Sequence, residues 1–394
     1  MATESPFLLF RVECPICKQL NEFETIRVGA YAEEGRDTDF CPTNVKWRFP
    51  RYQGYNPLVF FIATCGNCHY SREFSNTYRD WKSDTNFKTY RLKTVKPKHL
   101  DLLATTDSAL KLLGEAVDVN RYPNEAAILK LHLAIFDEQL ADHYSRLDVG
   151  RFYLRIAWVY RDLESGENPS RQLIKGLLHE IEAEFGQTRN AVTALQRQLG
   201  ELNHKITSHF DAPQLSAEFR SQMLSFRDRY EASLQTFNLH SQSFDPQLDG
   251  LRSLLDEYRR AVVGGSEGSS QATFGKYPSF HDYLASVKRQ WSGIVTNERE
   301  ALEMAVYFYK EAFANGHDIA PGNQQIQASY LIAELSRRIG DYDEAKQYFT
   351  STIKSGQEFI YQNRQDPSRV ALAKKILELA IEQGRNNLAA SRPA

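Results

Sequence analysis

The sequence predicts an α+β protein that is predominantly α, and three observations carry that prediction. Two Cys-x-x-Cys pairs lie within the first 98 residues, among short segments of strand length. From Leu100 onward, apolar residues recur at the three- and four-residue spacing of helices. Between residues 171 and 263 this spacing persists over two long stretches, which indicates a pair of long helices inserted into a stack of shorter ones.

The cysteine pairs are Cys14-Pro-Ile-Cys17 and Cys65-Gly-Asn-Cys68, and they contain four of the five cysteines of the chain. Each pair can present two thiolates from one tight turn. Together the pairs supply the four soft ligands of a closed tetrahedral zinc site. We therefore predict one structural zinc ion bound by these four residues. A redox dithiol is the alternative, but it would favour a single pair at a helix N-terminus in a thioredoxin-like βαβ unit.

Residues 1–98 are predicted to form a zinc-ribbon-like module with a long inserted loop. Short strands are expected at Phe7–Val12, Phe23–Val28 and Leu58–Thr64, beside the two cysteine turns. The cysteine pairs are separated by 47 residues, whereas a simple ribbon has roughly 15–20. We expect the excess to fold over the ribbon or to stay mobile.

The inserted loop and the second cysteine turn contain the other candidate site residues. Asp37 and Asp39 could bind a second cation, or they could act as acid and base. Alternatively they could cap turns and pair with arginines, and this structural role is the favoured interpretation. Cys41 could replace a ligand, form a disulfide or act as a nucleophile, but a partly buried thiol against the ribbon is favoured. His69, beside Cys68, could serve as a nitrogen ligand.

The stretch from Arg72 to Lys98 is basic and aromatic, with eight Lys or Arg side chains against three carboxylates. Such a mixture can bind nucleic acid, because cations contact phosphates and aromatic rings stack on bases. The candidate contacts are Arg91, Lys93 and Lys96. A solvated connector with a few packed aromatic residues has the same composition, and this second interpretation is favoured.

Residues 99–164 are predicted to hold three helices of an α-hairpin stack. Apolar spacing suggests helices at Leu102–Leu113, Ala126–Tyr144 and Val149–Leu163. Pro123 lies near the first turn of the second helix, where proline is tolerated. Short connections between these helices would make them antiparallel neighbours.

Residues 165–275 are predicted to form an antiparallel coiled-coil hairpin followed by a linker. Two arms with apolar residues at coiled-coil spacing flank a proline-containing turn at Asp211–Gln214. Gly264–Ser270 has the composition of a flexible linker and closes the insertion. Such an arm would be a spacer or a docking surface, and it makes a homodimer possible.

Residues 276–384 are predicted to resume the helical stack, and residues 385–394 to form a loose tail. Ala328–Phe349 contains the clearest repeat signal, with a turn at Gly340–Tyr342 between two amphipathic segments. This matches the tetratricopeptide repeat (TPR) pattern, in which small residues let paired helices approach while aromatic residues fill the gap. Tyr153–Arg161 resembles half of another such unit.

Several of these motifs follow one another in a familiar order. They are the Cys-Pro-x-Cys turn, Arg36–Pro42, Tyr52–Pro57, the second cysteine pair, Leu154–Arg161 and the TPR-like unit. Over roughly residues 10–163 and 298–360 the chain thereby resembles an uncharacterised bacterial family, domain of unknown function 2225. The resemblance implies a zinc ribbon joined to TPR-like helices, with the four cysteines as ligands and no established activity. The coiled-coil arm lies outside the region of resemblance. Gly66-Asn67, between the cysteines of the second pair, departs from the family pattern, in which we expect Pro-x at these two positions.

Composition and motifs together favour a cytoplasmic adaptor without catalytic activity. The net charge is −2, and the longest apolar run is far shorter than the ~20 residues of a membrane helix. No secretory signal is recognisable at the start of the chain, and paired cysteines in a reducing compartment favour metal over disulfides. We expect a protein or peptide partner bound by a TPR-like groove and by the arm.

Two other functions are weighed against the adaptor. The first is a nucleic-acid-binding zinc ribbon that uses the segment 72–98. The second is a metal-assisted hydrolase that uses Asp37 and Asp39, although common catalytic motifs are missing from the sequence.

Overall fold

A computed structural model describes residues 5–49, 52–164, 169–210, 216–262 and 274–391. The chain is about 65% helical, with small antiparallel sheets near the N-terminus followed by a helical region. The predicted class, α+β and predominantly α, is therefore confirmed. By its internal contacts the chain divides into two units, one of residues 1–168 and 270–394 and the other of residues 169–269.

Three two-stranded antiparallel sheets form the N-terminal region. Their strands are β1 (Phe7–Glu13) with β2 (Leu20–Ile26), β3 (Tyr31–Arg36) with β4 (Pro42–Trp47), and β5 (Ile62–Thr64) with β6 (Ser71–Glu73). The first cysteine turn connects β1 to β2, and the second connects β5 to β6. Each cysteine pair therefore sits in the bend of a hairpin, as a zinc-ribbon arrangement requires.

The strand predicted at Leu58–Thr64 is wrong over its first half. Pro57–Phe60 forms a 3-10 turn instead, because proline fixes its own φ and Asn56 caps the turn by accepting the amide of Leu58. Only Ile62–Thr64 pairs with β6. The turn lets Val59 and Ile62 join the buried core of the helical region.

The helices follow in chain order. They are α1 (Asn76–Arg79), α2 (Leu92–Ala104), α3 (Ala109–Glu115), α4 (Pro123–Gln139), α5 (Arg146–Glu164), α6 (Pro169–Phe210), α7 (Ala217–Val262), α8 (Phe280–Lys288), α9 (Glu298–Asn315), α10 (Asn323–Ile339), α11 (Tyr342–Gln362) and α12 (Pro367–Ala390). A π-helical turn, Phe87–Arg91, precedes α2. None of the helices in the described ranges has the length and apolar character needed to cross a membrane.

The single helix predicted over Leu102–Leu113 is wrong, because the chain breaks between α2 and α3. Asp107 has a positive φ of 59°, and Ser108 is extended and accepts the amide of Lys111 as the N-cap of α3. The other two predicted helices are present as α4 and α5. Pro123 occupies the first turn of α4, as expected.

The helical core is built from pairs of contacting helices: α5 with α9, α10 with α11, and α11 with α12. Gly150 permits the close approach of α5 to α9, since a Cβ there would lie 3.3 Å from the Tyr309 backbone nitrogen. Tyr153 of α5 is fully buried, and its hydroxyl donates to the Gly293 carbonyl at 2.7 Å. Gly340 ends α10 in the left-handed conformation, which allows α11 to begin two residues later.

The C-terminal end of the chain is more ordered than the sequence predicts. Helix α12 continues through Ala390, so residues 385–390, which we expected in a loose tail, are helical. Asn387 is buried, and its amide donates to the Tyr342 carbonyl at 2.9 Å. This hydrogen bond fastens the last turns of α12 to the start of α11.

The second unit contains α6 and α7, which contact each other. The Tyr230 hydroxyl of α7 donates to the Leu199 carbonyl of α6 at 3.3 Å. Several large apolar side chains on the two helices stay exposed, among them Leu195, Leu202 and Phe226. The predicted turn at Asp211–Gln214 and the predicted linker Gly264–Ser270 lie outside the described residues.

Candidate functional site

The four cysteines of the two pairs meet in one cluster. All four sulfur atoms lie within 4.8 Å of one another. The distance from Cys14 Sγ to Cys68 Sγ is 3.6 Å, and the distance from Cys17 Sγ to Cys65 Sγ is the same. Cys17 is partly exposed and the other three are buried. The sulfurs can therefore hold one metal ion between them.

The two cysteine turns follow the same backbone path. The Lys18 amide donates to the Cys14 carbonyl at 3.0 Å, and the His69 amide donates to the Cys65 carbonyl at 2.9 Å. Lys18 and His69 both have a positive φ, of 68° and 64°. In each turn, the left-handed residue that follows the second cysteine of the pair reverses the chain. Both sulfurs of a pair therefore face the same point.

Asn21 connects the first hairpin to the second cysteine turn. Its side-chain amide nitrogen donates to Cys65 Sγ at 3.4 Å, and its oxygen accepts the Gly66 amide at 3.0 Å. A hydrogen bond to sulfur favours the thiolate, which is the form that binds a metal. Asn21 therefore both joins the two halves of the cluster and supports its charge.

His99 and Asp137 anchor the second cysteine turn to α2 and α4. Both side chains are buried, and His99 Nδ1 lies 2.6 Å from Asp137 Oδ1. His99 Nε2 contacts the Cys68 carbonyl at 2.8 Å, and the Ser71 amide donates to Asp137 Oδ2 at 2.7 Å. Burial alone would lower the pKa of His99, but the Asp137 carboxylate outweighs it and raises that pKa. The cysteine cluster and the helical region thus share one hydrogen-bonded network.

Four sulfurs this close cannot all ionise without a cation. A hydrogen bond to Cys65 raises the pKa of Cys14 to about 12, so Cys14 keeps its proton. The pKa of Cys65 is lowered because its thiolate accepts hydrogen bonds from Cys14 and Cys68. A bound metal cation would displace the remaining protons and compensate the charge.

A buried tyrosine packs in the same core as the cysteines. Tyr78 is fully buried, and its hydroxyl lacks a hydrogen-bond partner among the described residues. Burial raises the pKa of Tyr78. Tyr78 therefore belongs to the buried core around the cysteines without a hydrogen bond to any of their sulfurs.

His69 lies outside the group of sulfur ligands. Its ring packs against α3, where a Cβ on Gly114 would lie only 2.0 Å from His69 Cγ. Burial lowers the pKa of His69. The glycine at position 114 is therefore required by the histidine ring, and His69 serves to pack the second cysteine turn onto α3.

The inserted segment folds against the ribbon at its base, through Phe7, Trp47 and Tyr52. The Phe7 ring centroid lies 6.3 Å from that of Trp47 and 5.0 Å from that of Tyr52. The turn of the inserted segment, between β3 and β4, instead contacts α5 and α10. The Tyr330 hydroxyl of α10 donates to the Thr38 carbonyl at 2.7 Å. Folding over the ribbon was one of the two outcomes that we expected for this segment, and the contact with the helices was not expected.

Asp37 and Asp39 lie in this turn, where two arginines neutralise them. Arg161 of α5 contacts Asp39 Oδ2 at 2.7 Å and Asp37 Oδ2 at 3.2 Å. Arg338 of α10 contacts Asp37 Oδ1 at 2.8 Å. Burial alone would raise the pKa of Asp37, but the Thr38 amide and Arg338 outweigh it and lower that pKa. The two carboxylates are thus engaged in ion pairs that join the turn to the helices.

Cys41 is a free thiol, buried at the end of the same turn. Burial raises the pKa of Cys41 to about 12, so the sulfur is protonated at neutral pH. Its Sγ lies 3.5 Å from the Pro42 carbonyl. With Ile26 and Trp158, Cys41 lines a cavity of about 270 Å³ between the ribbon and α5. A buried neutral thiol is a poor nucleophile.

Most of the aromatic residues in the basic segment 72–98 are packed inside the protein. Tyr78, Trp81 and Phe87 are buried, so their rings cannot stack on bases, whereas Tyr90 is 73% exposed. Arg91 forms an ion pair with Glu138, and burial lowers the pKa of Arg91.

The other two predicted nucleic-acid contacts lie on α2. Lys93 is exposed and Lys96 is half-buried. The structure therefore does not bring Arg91, Lys93 and Lys96 together with a platform of exposed rings, because the rings of this segment form part of the core around the cysteines.

A groove of about 720 Å³ lies beside the docked turn of the inserted segment. Helices α5, α10 and α12 line it, contributing Trp158, Leu331 and Leu372 among others. Leu372 is 41% exposed, although it lies among apolar neighbours. We expected a TPR-like groove from the sequence, but not the residues that line this one, because its three helices are far apart in the chain. The only signal was that Arg36–Pro42 and Leu154–Arg161 both stood out as motifs, and they contact each other here.

The family comparison covers most of this architecture. A family model described as "Uncharacterized protein conserved in bacteria (DUF2225)" matches residues 10–212 and 287–369. The chain belongs to this family. The DUF2225 match includes α6, which the resemblance seen in the sequence had left outside. It also includes the four cysteines, the inserted turn, and the parts of α5 and α10 that hold that turn. No curated protein and no solved structure matches the chain.

Proposed function

We propose that this DUF2225 protein is a zinc-stabilised protein-interaction adaptor that catalyses no reaction of its own. Tetrahedral zinc with Zn–S bonds of about 2.3 Å separates its sulfur ligands by about 3.8 Å. The two sulfur–sulfur distances of 3.6 Å agree with that value. Four thiolates complete the coordination sphere, so the proposed ion is structural and holds the N-terminal module against α2 and α4.

The observation that carries the adaptor role is the groove on α5, α10 and α12. Its volume of about 720 Å³ lies within the range of about 300–1,000 Å³ of small-molecule and cofactor sites, so it is large enough to take up several side chains of a bound segment. The Leu372 side chain is 41% exposed in this groove. The lining of the groove is largely apolar with a few charged side chains, which is the general form of a binding site.

The arrangement of helices supports a TPR-like interpretation of this groove. Helix α5 pairs with α9, and α10 pairs with α11. The first helix of each pair, together with α12, lines the groove. Stacked helical pairs leave a concave face of this kind, and such faces bind extended or helical segments of partner proteins. In this proposal the inserted α6–α7 unit supplies a second surface for docking.

Site-specific photo-crosslinking in cells tests the adaptor function. A photoreactive amino acid at Leu372 would lie in the groove, whereas the same amino acid at Leu388 would lie on α12 outside it. Both positions are exposed to a similar extent, 41% and 45%. We expect discrete crosslinked products from position 372 that position 388 does not give. Identical or empty patterns from the two positions would contradict a binding role for the groove.

A further inference from the structure

We propose that the groove on α5, α10 and α12 recognises a segment of a partner protein in which carboxylates alternate with apolar side chains. This inference rests on the proposed adaptor function and specifies the chemistry of the partner. It is drawn from three features of the groove: its cations, the state of its carboxylates, and its apolar floor.

The cations that line the groove are Arg151 and Arg155 on α5 and Lys375 on α12. Arg151 is already paired with Asp148 at 3.1 Å, so Arg155 and Lys375 are the two cations considered as contacts for a ligand. Within the described part of the chain, Arg155 has no carboxylate partner, and it donates only to the Arg151 carbonyl at 3.3 Å. Its guanidinium lies 4.3 Å from the centre of the Phe61 ring, which holds it in place. Lys375 is exposed and forms no ion pair with any described residue. A half-buried guanidinium without a carboxylate favours an anionic ligand.

The carboxylates that line the groove are already neutralised by other residues. Glu33 contacts Arg36 at 3.1 Å. Asp37 lies between Arg161 and Arg338, at 3.2 and 2.8 Å. The groove therefore presents more cationic than anionic character to an incoming chain, and this difference selects for acidic partners.

The same helices already bind an acidic segment of this chain. The turn that contains Asp37 and Asp39 is held by Arg161 from α5 and Arg338 from α10. Arg155 lies six residues before Arg161 on α5 and faces the adjoining part of the groove. The docked turn thus shows that α5 and α10 can hold the carboxylates of an irregular segment.

The floor of the groove is apolar. Leu154, Leu331 and Ile376 are buried in it, and Leu372 projects from its wall. A ligand with charge alone would leave this surface in contact with water. A segment with apolar side chains between its carboxylates would cover the floor while its carboxylates reach Arg155 and Lys375. We favour such a protein segment over nucleic acid, whose phosphates would satisfy the cations only.

Fluorescence anisotropy with defined peptides tests the inference. The probe is a short fluorescein-labelled peptide of repeated Glu-Leu-Ser triplets, with counterparts that carry Gln or Lys in place of Glu. We expect the Glu peptide to bind about tenfold more tightly than the Gln peptide at low salt, and the Lys peptide not to bind. Lys375→Glu should weaken binding of the Glu peptide about three- to tenfold, since it replaces attraction by repulsion at a partly exposed site.

Lys374→Glu is the matched control, because Lys374 is an exposed neighbour on α12 that does not line the groove. We expect it to leave the affinity unchanged. Equal losses from Lys374→Glu and Lys375→Glu would overturn the inference, because the effect would then be a general one of net charge. Tighter binding of oligouridylate than of the Glu peptide would overturn it in favour of nucleic acid.

The test also separates this inference from the adaptor function. Equal affinity for the Glu and Gln peptides, with crosslinking at position 372 retained, would refute acidic recognition and leave the adaptor standing. Loss of both peptide binding and crosslinking would refute the two together.

Discussion

Replacing Asp39 with asparagine tests whether the inserted turn is held to the helices by a buried charge. Asp39 is fully buried, and its Oδ2 accepts from Arg161 at 2.7 Å and from Trp158 Nε1 at 3.2 Å. Its Oδ1 accepts the Cys41 amide at 3.2 Å. Asparagine has nearly the same shape, but its amide nitrogen would face one of these donors and the negative charge would be lost.

The expected cost follows from the surroundings of Arg161. Removing one partner of a buried ion pair costs about 3–5 kcal/mol, because the other charge stays buried and unpaired. Arg161 retains Glu298 at 2.7 Å and keeps 23% of its side-chain surface exposed. We therefore expect Asp39→Asn to decrease the free energy of unfolding by about 3 kcal/mol, which is the lower end of that range. The matched change Asp37→Asn should cost about 1 kcal/mol, since Asp37 is 33% exposed.

Urea unfolding of the metal-loaded protein, followed by tryptophan fluorescence, measures both variants, because Trp158 lies at the docked turn. Combining Asp39→Asn with Arg161→Met should cost clearly less than the sum of the two single changes, since each single change leaves a charged or polar partner behind. A cost for Asp39→Asn no greater than that for Asp37→Asn would refute the reasoning. So would strict additivity of the Asp39 and Arg161 changes.

Three further predictions concern the metal, a buried histidine and the free thiol. Chelation of the metal should abolish ordered structure around β1, β2, β5 and β6 while circular dichroism retains most of the helical signal, because α5 and α9–α12 pack away from the cysteines. His132 is fully buried, donates from Nδ1 to the Ile128 carbonyl and accepts the Val295 amide at Nε2, so only the neutral ring fits. Burial lowers the pKa of His132 to about 3. The unfolded chain, with an ordinary histidine pKa of about 6.5, therefore takes up the proton first as the pH falls. The free energy of unfolding should decrease below about pH 6.5, by about 2 kcal/mol at pH 5. The difference in the free energy of unfolding between wild type and His132→Gln, measured by urea unfolding at pH 7 and at pH 5, isolates that loss. Cys41, with a pKa of about 12, should resist iodoacetamide at pH 8 in the native zinc-loaded protein and react once it unfolds, which mass spectrometry detects.

Each of these predictions has a clear contrary outcome. Collapse of the whole helical signal on chelation would show that the helices depend on the metal as well. A stability difference between wild type and His132→Gln that stays constant from pH 7 to pH 5 would mean that His132 is not held neutral. Rapid native labelling of Cys41 would mean that the turn opens readily from α5.

The sequence predicted the parts of this protein that depend on local patterns. The two Cys-x-x-Cys turns, the strand β1 beside them, and the helices α4 and α5 follow from spacing and capping within a few residues of each position. The predictions failed where a neighbour in space decides the outcome. Pro57–Phe60 turned out to be a 3-10 turn, α2 and α3 are separated at Ser108, and α12 continues through Ala390 where we expected a loose tail.

The clustering of the four cysteines was predictable because metal binding requires a fixed residue type at a fixed spacing. The roles of Asp37 and Asp39 were open from the sequence, which allowed both a cation site and pairing with arginines. Only the tertiary structure identified Arg161 and Arg338 as their partners, since these lie more than a hundred residues away in the chain. The sequence led us to expect a TPR-like groove, but the residues that line the groove on α5, α10 and α12 could not be predicted from it. The groove exists because α5, α10 and α12, which are distant in the chain, pack side by side, whereas the sulfur cluster is already specified by two short turns.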